Sequence, residues 1–274
     1  NRTGQLVYCA GDDQVQTVGS DSAAGRMSPR NLLAGTITDE LKLATNFRAR
    51  VIGIALKDRA SILPAGHAAD AAYWFDAQNN RWITSTWYRP NLPAWVEALN
   101  ARNLVAEYLN RGWDTLYPLE TYQQSAPDKN DYEGKFKGTD AAVFPVDTAK
   151  LYRENGAGII RNTPYGNSFT LEMAKAAIQN EALGGRGVTD FLAVSLSAPD
   201  YIGHQFGPNS VEIEDNYLRL DRDLAEFLAY LDRHVGKGQY TLFLSADHGA
   251  AHNVTFLQDH KLPAGAWNSG AVLN

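Results

Sequence analysis

Three short apolar runs, Arg50–Leu56, Asp190–Ser197 and Tyr240–Ser245, have the length of strands and lack alternation, the pattern of strands buried on both faces. Helical spacing surrounds them. Residues 29–45 place Leu32, Leu33, Ile37 and Leu41 at helical intervals behind Ser28 as N-cap and Pro29 as first helical residue. A second helix is expected near 168–182 (Phe169, Leu171, Ala174, Ile178). A long amphipathic one covers about 210–233, with Ile213, Tyr217, Leu220, Leu224, Phe227, Leu228 and Leu231 on its apolar stripe. Strand, helix, strand is the βαβ pattern of an α/β fold, a three-layer α/β/α sandwich with a mainly parallel sheet.

The stretch 67–150 departs from this pattern. Tyr73, Trp74, Phe75, Trp82, Trp87, Tyr88 and Trp95 crowd together, and Gln78-Asn79-Asn80 is a turn joining a hairpin of Ala72–Asp76 with Arg81–Tyr88. A short helix near 93–100 and an irregular polar segment from about 122 to 150 follow. This predicts an inserted cap whose aromatics form a small core of their own. The chain would then be one discontinuous domain: core in 1–66, cap in 67–150, core again in 151–274.

Composition adds limits. Net charge is −6 over 274 residues with no Lys/Arg-rich block, which gives a nucleic-acid partner no support. No apolar run approaches the roughly 20 residues that span a bilayer. The single cysteine, Cys9, excludes an intrachain disulfide and a Cys-based metal site, and is expected to be a small buried hydrophobe. The chain opens without Met and ends on Ala271-Val272-Leu273-Asn274 with no closing element, so a piece of a longer protein is expected.

Parallel sheets bind ligands just beyond the carboxyl ends of their strands. Each long apolar run ends there in a polar cluster: Lys57-Asp58-Arg59, Asp200-x-x-x-His204 and Asp247-His248-Gly249. Asp200 and His204, four residues apart, share a face of one helical turn and could reach one cation. Asp247 and His248 stand side by side at a strand end. Mixed Asp and His donors without Cys suit Zn²⁺ in a hydrolytic site, with Mn²⁺ as the other occupant. Two converging pairs would hold two metals roughly 4 Å apart, a clamp for in-line displacement at phosphorus. Alone, Asp-x-x-x-His reads as a helix-surface pair and Asp-His as a structural loop; two at neighbouring strand ends, joined by one crossover helix, favour metal.

Lys57 and Arg59 would supply positive charge to phosphoryl oxygens, the alternative being a solvated loop. Asp58 is expected to pair with a neighbouring base. His67, His234, His252 and His260 read as loop, surface or ligand-orienting residues.

Four segments carry a resemblance: Ile54–Arg59, Leu63–Asp76, Asp200–Pro208 and Ser245–Gly249. Here the sequence resembles the alkaline phosphatase superfamily, specifically the bacterial alkaline phosphatases of its phosphodiesterase/nucleotide-pyrophosphatase-like branch. The resemblance implies two Zn²⁺ per complete site, one bound by Asp200 and His204 and the other by Asp247 and His248. It also implies phosphate contacts from Lys57 and Arg59, and small phosphate esters as substrates. Hydrolysis would pass through a covalent phospho-enzyme on a Thr, in a periplasmic or secreted protein. That Thr, a first metal-binding Asp and a phosphate-contacting Asn are implied before residue 1, and a further His ligand after residue 274. The present stretch alone is therefore expected to be inactive. A phosphomonoesterase is the leading reading; a phosphodiesterase or nucleotide pyrophosphatase of the same superfamily, or a non-catalytic member, are the others.

Overall fold

The computed structural model describes residue 4 and residues 6–266. Among these, the elements run β1 (Thr17–Val18), α1 (Ile37–Ala44), β2 (Val51–Ala55), α2 (Asp58–Ala65), β3 (Ala71–Asp76), β4 (Arg81–Ser85), α3 (Ala94–Ala101) and α4 (Leu104–Leu109). They continue with α5 (Thr148–Asn155), α6 (Tyr165–Asn180), β5 (Phe191–Ser195), α7 (Ala198–Phe206), α8 (Val211–Leu231) and α9 (Val254–Asp259). The strands form one sheet in the order β1-β4-β3-β2-β5. Pairing is parallel through β3, β2 and β5, where Ile54 aligns with Tyr73 and Val194, and antiparallel at β4 and β1. The sheet is therefore mixed, because the hairpin expected of a separate cap is built into it.

Side chains alternate across β2 and β3 and feed two layers. Ile52 and Ile54 join Tyr73, Phe75 and Trp82 on the face covered by Phe169, Met173, Ala174 and Ile178 of α6. Trp82 stacks on Phe169 with ring centroids 4.8 Å apart. Trp74 and Ile83 meet Ile62 of α2 on the opposite face. The aromatics of the hairpin thus belong to the main core and form no core of their own; each such side chain stabilises the fold by roughly 1.5–3 kcal/mol. On the α2 face Gly53 is a spacer, since a Cβ there would lie 1.9 Å from the Ser61 carbonyl oxygen.

Several expectations need correcting. The helix over 29–45 is two pieces: a 3₁₀ turn at Pro29–Asn31 capped by Ser28, then α1 behind Thr36. Thr36 and Asp39 form a reciprocal capping box, which satisfies two backbone donors and fixes the start there. Cys9 is exposed. The run Tyr240–Ser245 forms no strand: Leu242, Phe243 and Leu244 are 47%, 74% and 72% exposed. Phe243 touches the sheet only at Phe191, ring centroids 6.2 Å apart. No strand pairs with this run among the described residues, although the outer edge of β5 beside it is left without a partner there. In α8, Tyr217 and Leu228 face solvent, while the buried positions of its first turns include Glu212, Asp215 and Asn216.

Glu212 is fully buried, with both carboxylate oxygens unpartnered among the described residues. Burial, reinforced by the charges of Glu133 and Asp128, pushes its carboxyl up to about 8.

Two predictions follow from this packing. Gly53→Ala drives a methyl group into the backbone of α2, so chemical denaturation should show a loss of about 1–3 kcal/mol or more; an unchanged midpoint would contradict the close approach. For Glu212, the acid form is retained in the fold but lost on unfolding above the ordinary value of 4.5, so stability should fall as pH rises from there to about 8. The slope reaches about 1.4 kcal/mol per pH unit for one group, and Glu212→Gln should flatten it. Equal slopes in variant and parent would show that Glu212 does not carry the effect.

Candidate functional site

β2 and β5 are parallel neighbours with Ala55 opposite Ser195, so both chains leave the sheet at the same edge. β2 passes through Leu56 into Lys57, the N-cap of α2, and β5 passes into α7. α7 buries Ala198, Ile202 and Phe206 against Trp113, Phe136 and Leu151. Asp200 lies about 200° round the helix from Ala198, so burying one stripe turns Asp200 and His204 towards the strand ends.

The contacts centre on Asp200. Its Oδ2 accepts a short charge-assisted hydrogen bond from Lys57 Nζ. Its Oδ1 lies 3.3 Å from His204 Nε2 and 3.6 Å from His248 Nε2. Asp247 reaches the group only through His248, Oδ2 to Nε2 3.7 Å, and is itself almost fully exposed. Burial alone would raise the Asp200 carboxyl. The Lys57 hydrogen bond and charge, aided by both histidines, outweigh it and hold Asp200 below the ordinary carboxylate range. His248 is raised, first by its hydrogen bond to the Gly249 carbonyl and then by Asp247.

Lys57 Nζ also stands 4.6 Å from the centroid of the Tyr201 ring. Arg59 is oriented differently: its Nη1 donates to the Tyr8 hydroxyl at 3.2 Å, and that hydroxyl donates to Asp58 Oδ1 at 2.5 Å. Asp58 thus meets its neighbouring base through a phenol. Burial and the bond to Asp58 push the Tyr8 phenol up to about 12, so it stays a donor at neutral pH. These groups open on a cleft of about 390 Å³ lined by Tyr8, Lys57, Arg59, Trp74, Arg161 and Tyr201 among others. A larger hollow of about 540 Å³ beside Tyr122, Ser125 and Asp128 has no basic lining residue and lies away from these groups.

Arg161 escaped the sequence reading because it follows no strand. It sits in a 3₁₀ turn, Ala157–Asn162, before α6, where a lone basic residue looks like any solvated turn. The remaining histidines make local bonds. His67 spans Asp39 (3.2 Å) and the Leu32 carbonyl (2.9 Å), His234 meets the Tyr230 carbonyl, His252 the Asn209 side chain, and His260 the Phe256 carbonyl.

The donors Asp200, His204, Asp247 and His248 suit a Zn²⁺ ion in kind, carboxylate oxygen and imidazole nitrogen. They do not complete a site in number: among the described residues no three His, Cys, Asp or Glu side chains are arranged to hold an ion.

The model of one family, described as type I phosphodiesterase / nucleotide pyrophosphatase, matches residues 32–268. The chain belongs to this family. Similar members include a Myroides odoratus protein described as a calcium-transporting ATPase, 58% identical over 98% of this chain and 50% of that one. The alkaline phosphatase PhoV of Synechococcus elongatus is 54% identical over 96% of this chain and 47% of its own length. In three dimensions the fold matches the crystal structure of the alkaline phosphatase PafA with a TM-score of 0.97, at 51% identity, covering 100% of this chain and 53% of that one. The present chain therefore spans about half the length of these family members. Among its described residues no helix is long and apolar enough to cross a membrane.

Proposed function

We propose that the full-length protein is a zinc-dependent phosphate monoester hydrolase, and that this stretch supplies its phosphate-facing cations and part of its metal shell. The carrying observation is the placement of Lys57 and Arg59 at the mouth of one cleft, with Lys57 against the same carboxylate that faces His204 and His248. In this reading Asp200 and His204 hold one Zn²⁺, and Asp247 and His248 the other. Two metal ions held by these residues would supply charge neutralisation at the attacking and leaving oxygens. The nucleophile and the remaining ligands lie outside this stretch, and export to the periplasm or beyond accords with the alkaline phosphatase resemblance.

The chain's own residues then have separable tasks. Lys57 lowers the Asp200 carboxyl and so favours its ionised form, the form a metal ligand must take. Lys57 and Arg59 donate to non-bridging phosphoryl oxygens, whose charge must be balanced as the ester bond breaks. Tyr8 holds the Arg59 guanidinium in the cleft while Asp58 holds Tyr8. A monoester presents a dianionic phosphoryl group and a diester a monoanionic one, so a pair of cations favours the monoester. The family's own description favours a second reading, a phosphodiesterase built on the same ligands.

In the full-length protein, Lys57→Ala and Arg59→Ala should each lower kcat/KM for a phosphate monoester by about 10²–10³. Loss against a diester should be at least tenfold smaller. Monoester hydrolysis left untouched, or equal loss on both esters, would remove the basis for the monoesterase reading.

A further inference from the structure

The cleft contains a cation that the proposed chemistry does not use. Arg161 Nη2 donates to the Phe75 carbonyl at 3.0 Å, which pins the guanidinium at the carboxyl end of β3. Its Nε is buried and has no hydrogen-bond partner among the described residues. The guanidinium carbon lies 5.7 Å from the Phe75 ring centroid and 5.9 Å from that of Tyr201, the ring that Lys57 also faces.

Among the described residues no carboxylate stands within ion-pair distance of Arg161. Asp76 lines the same cleft, yet its oxygens are taken by Ser20, Ser22, Asn79 and the backbone N–H of Gln78. Lys57 has Asp200 as its partner, whereas Arg161, like Arg59, has no carboxylate within ion-pair distance among the described residues. A half-buried guanidinium with free donors is poised for a planar or tetrahedral anion.

Its position indicates which anion. Lys57 and Arg59 stand beyond the end of β2, whereas Arg161 is fixed at the end of β3. β2 and β3 are parallel and adjacent, Ala55 opposite Trp74, hence about 4.8 Å apart. Trp74, Phe75 and Asp76 of β3 line the cleft together with Lys57, Arg59 and Arg161, so it extends from the end of β2 to the end of β3. A substituent that extends from a phosphoryl group held by Lys57 and Arg59 into this cleft therefore comes within reach of Arg161.

Building on the monoesterase reading, we propose that Arg161 is a specificity-determining residue that binds a second anionic group on the alcohol portion of the substrate. The preferred substrates are then small phosphate monoesters bearing a carboxylate or a further phosphate a few bonds from the ester oxygen. A neutral alcohol portion would leave the charge of Arg161 unmatched.

The test compares phosphoglycolate with its neutral amide as substrates of the full-length enzyme, so that each substrate serves as its own reference across variants. Arg161→Gln, which removes the charge but retains a donor for the Phe75 carbonyl, should lower kcat/KM for phosphoglycolate at least tenfold more than for the amide. Most of that difference should appear in KM. Arg161→Lys, which restores the charge, should recover at least a third of the lost discrimination. Equal losses on both substrates in a variant that melts like the parent would show a structural role only and overturn the proposal. So would a change below twofold on phosphoglycolate, or identical behaviour of the Gln and Lys variants. Parent enzyme that hydrolyses a diester but neither monoester would contradict the monoesterase reading itself, and this inference with it.

Discussion

Lys57 and Asp200 lie far apart in sequence and are joined because β2 and β5 run parallel as neighbours. Parallel pairing sends both chains out at the same edge, and there a cation from one loop meets a carboxylate from the first turn of a helix. The rest of the site is arranged around this pair. Asp200 is held below the ordinary carboxylate range because Lys57 outweighs its burial, and the two histidines converge on the oxygen that Lys57 leaves free. Lys57 in turn is confined between Asp200 and the Tyr201 ring, which aims it into the cleft. Without that pairing, the Asp and His side chains and the cations of the cleft would have no common location.

Two packing constraints make the meeting possible. Gly53 lets α2 lie against β2, which brings Lys57 to the strand end without a detour. The apolar stripe of α7, buried beneath Trp113 and Phe136, sets the roll of that helix and so the direction of Asp200 and His204. Both act at a distance from the chemistry. Both are dictated by shape rather than charge.

Much of this was legible in the sequence. β2 and β5 were marked by unbroken apolar runs, and the polar clusters that follow them coincide with the residues gathered at the sheet edge. Local pattern failed where tertiary context decides. Tyr240–Ser245 has the composition of a buried strand, yet among the described residues it pairs with no strand and its apolar side chains are exposed. The aromatics of 72–88 looked like a separate core because sequence shows their density and not their neighbours; pairing of β3 with β2 divides them between the two faces of the sheet, Tyr73, Phe75 and Trp82 under α6 and Trp74 against α2. Arg161 was invisible because nothing in a turn reveals that its neighbours leave a guanidinium unpaired. Asp247 and His248 follow the unpaired run, and their looser approach to Asp200 reflects that.

The central claim is that Asp200, His204, Asp247 and His248 belong to one metal-dependent phosphoryl-transfer site. Elemental analysis of the purified full-length protein tests it most directly, with Asp200→Asn alongside. The account predicts about two Zn²⁺ per chain, the number a two-metal site requires, and a clear loss of bound zinc in the variant. Absence of zinc or any other divalent ion from the active parent protein, or an unchanged content in Asp200→Asn, would contradict it.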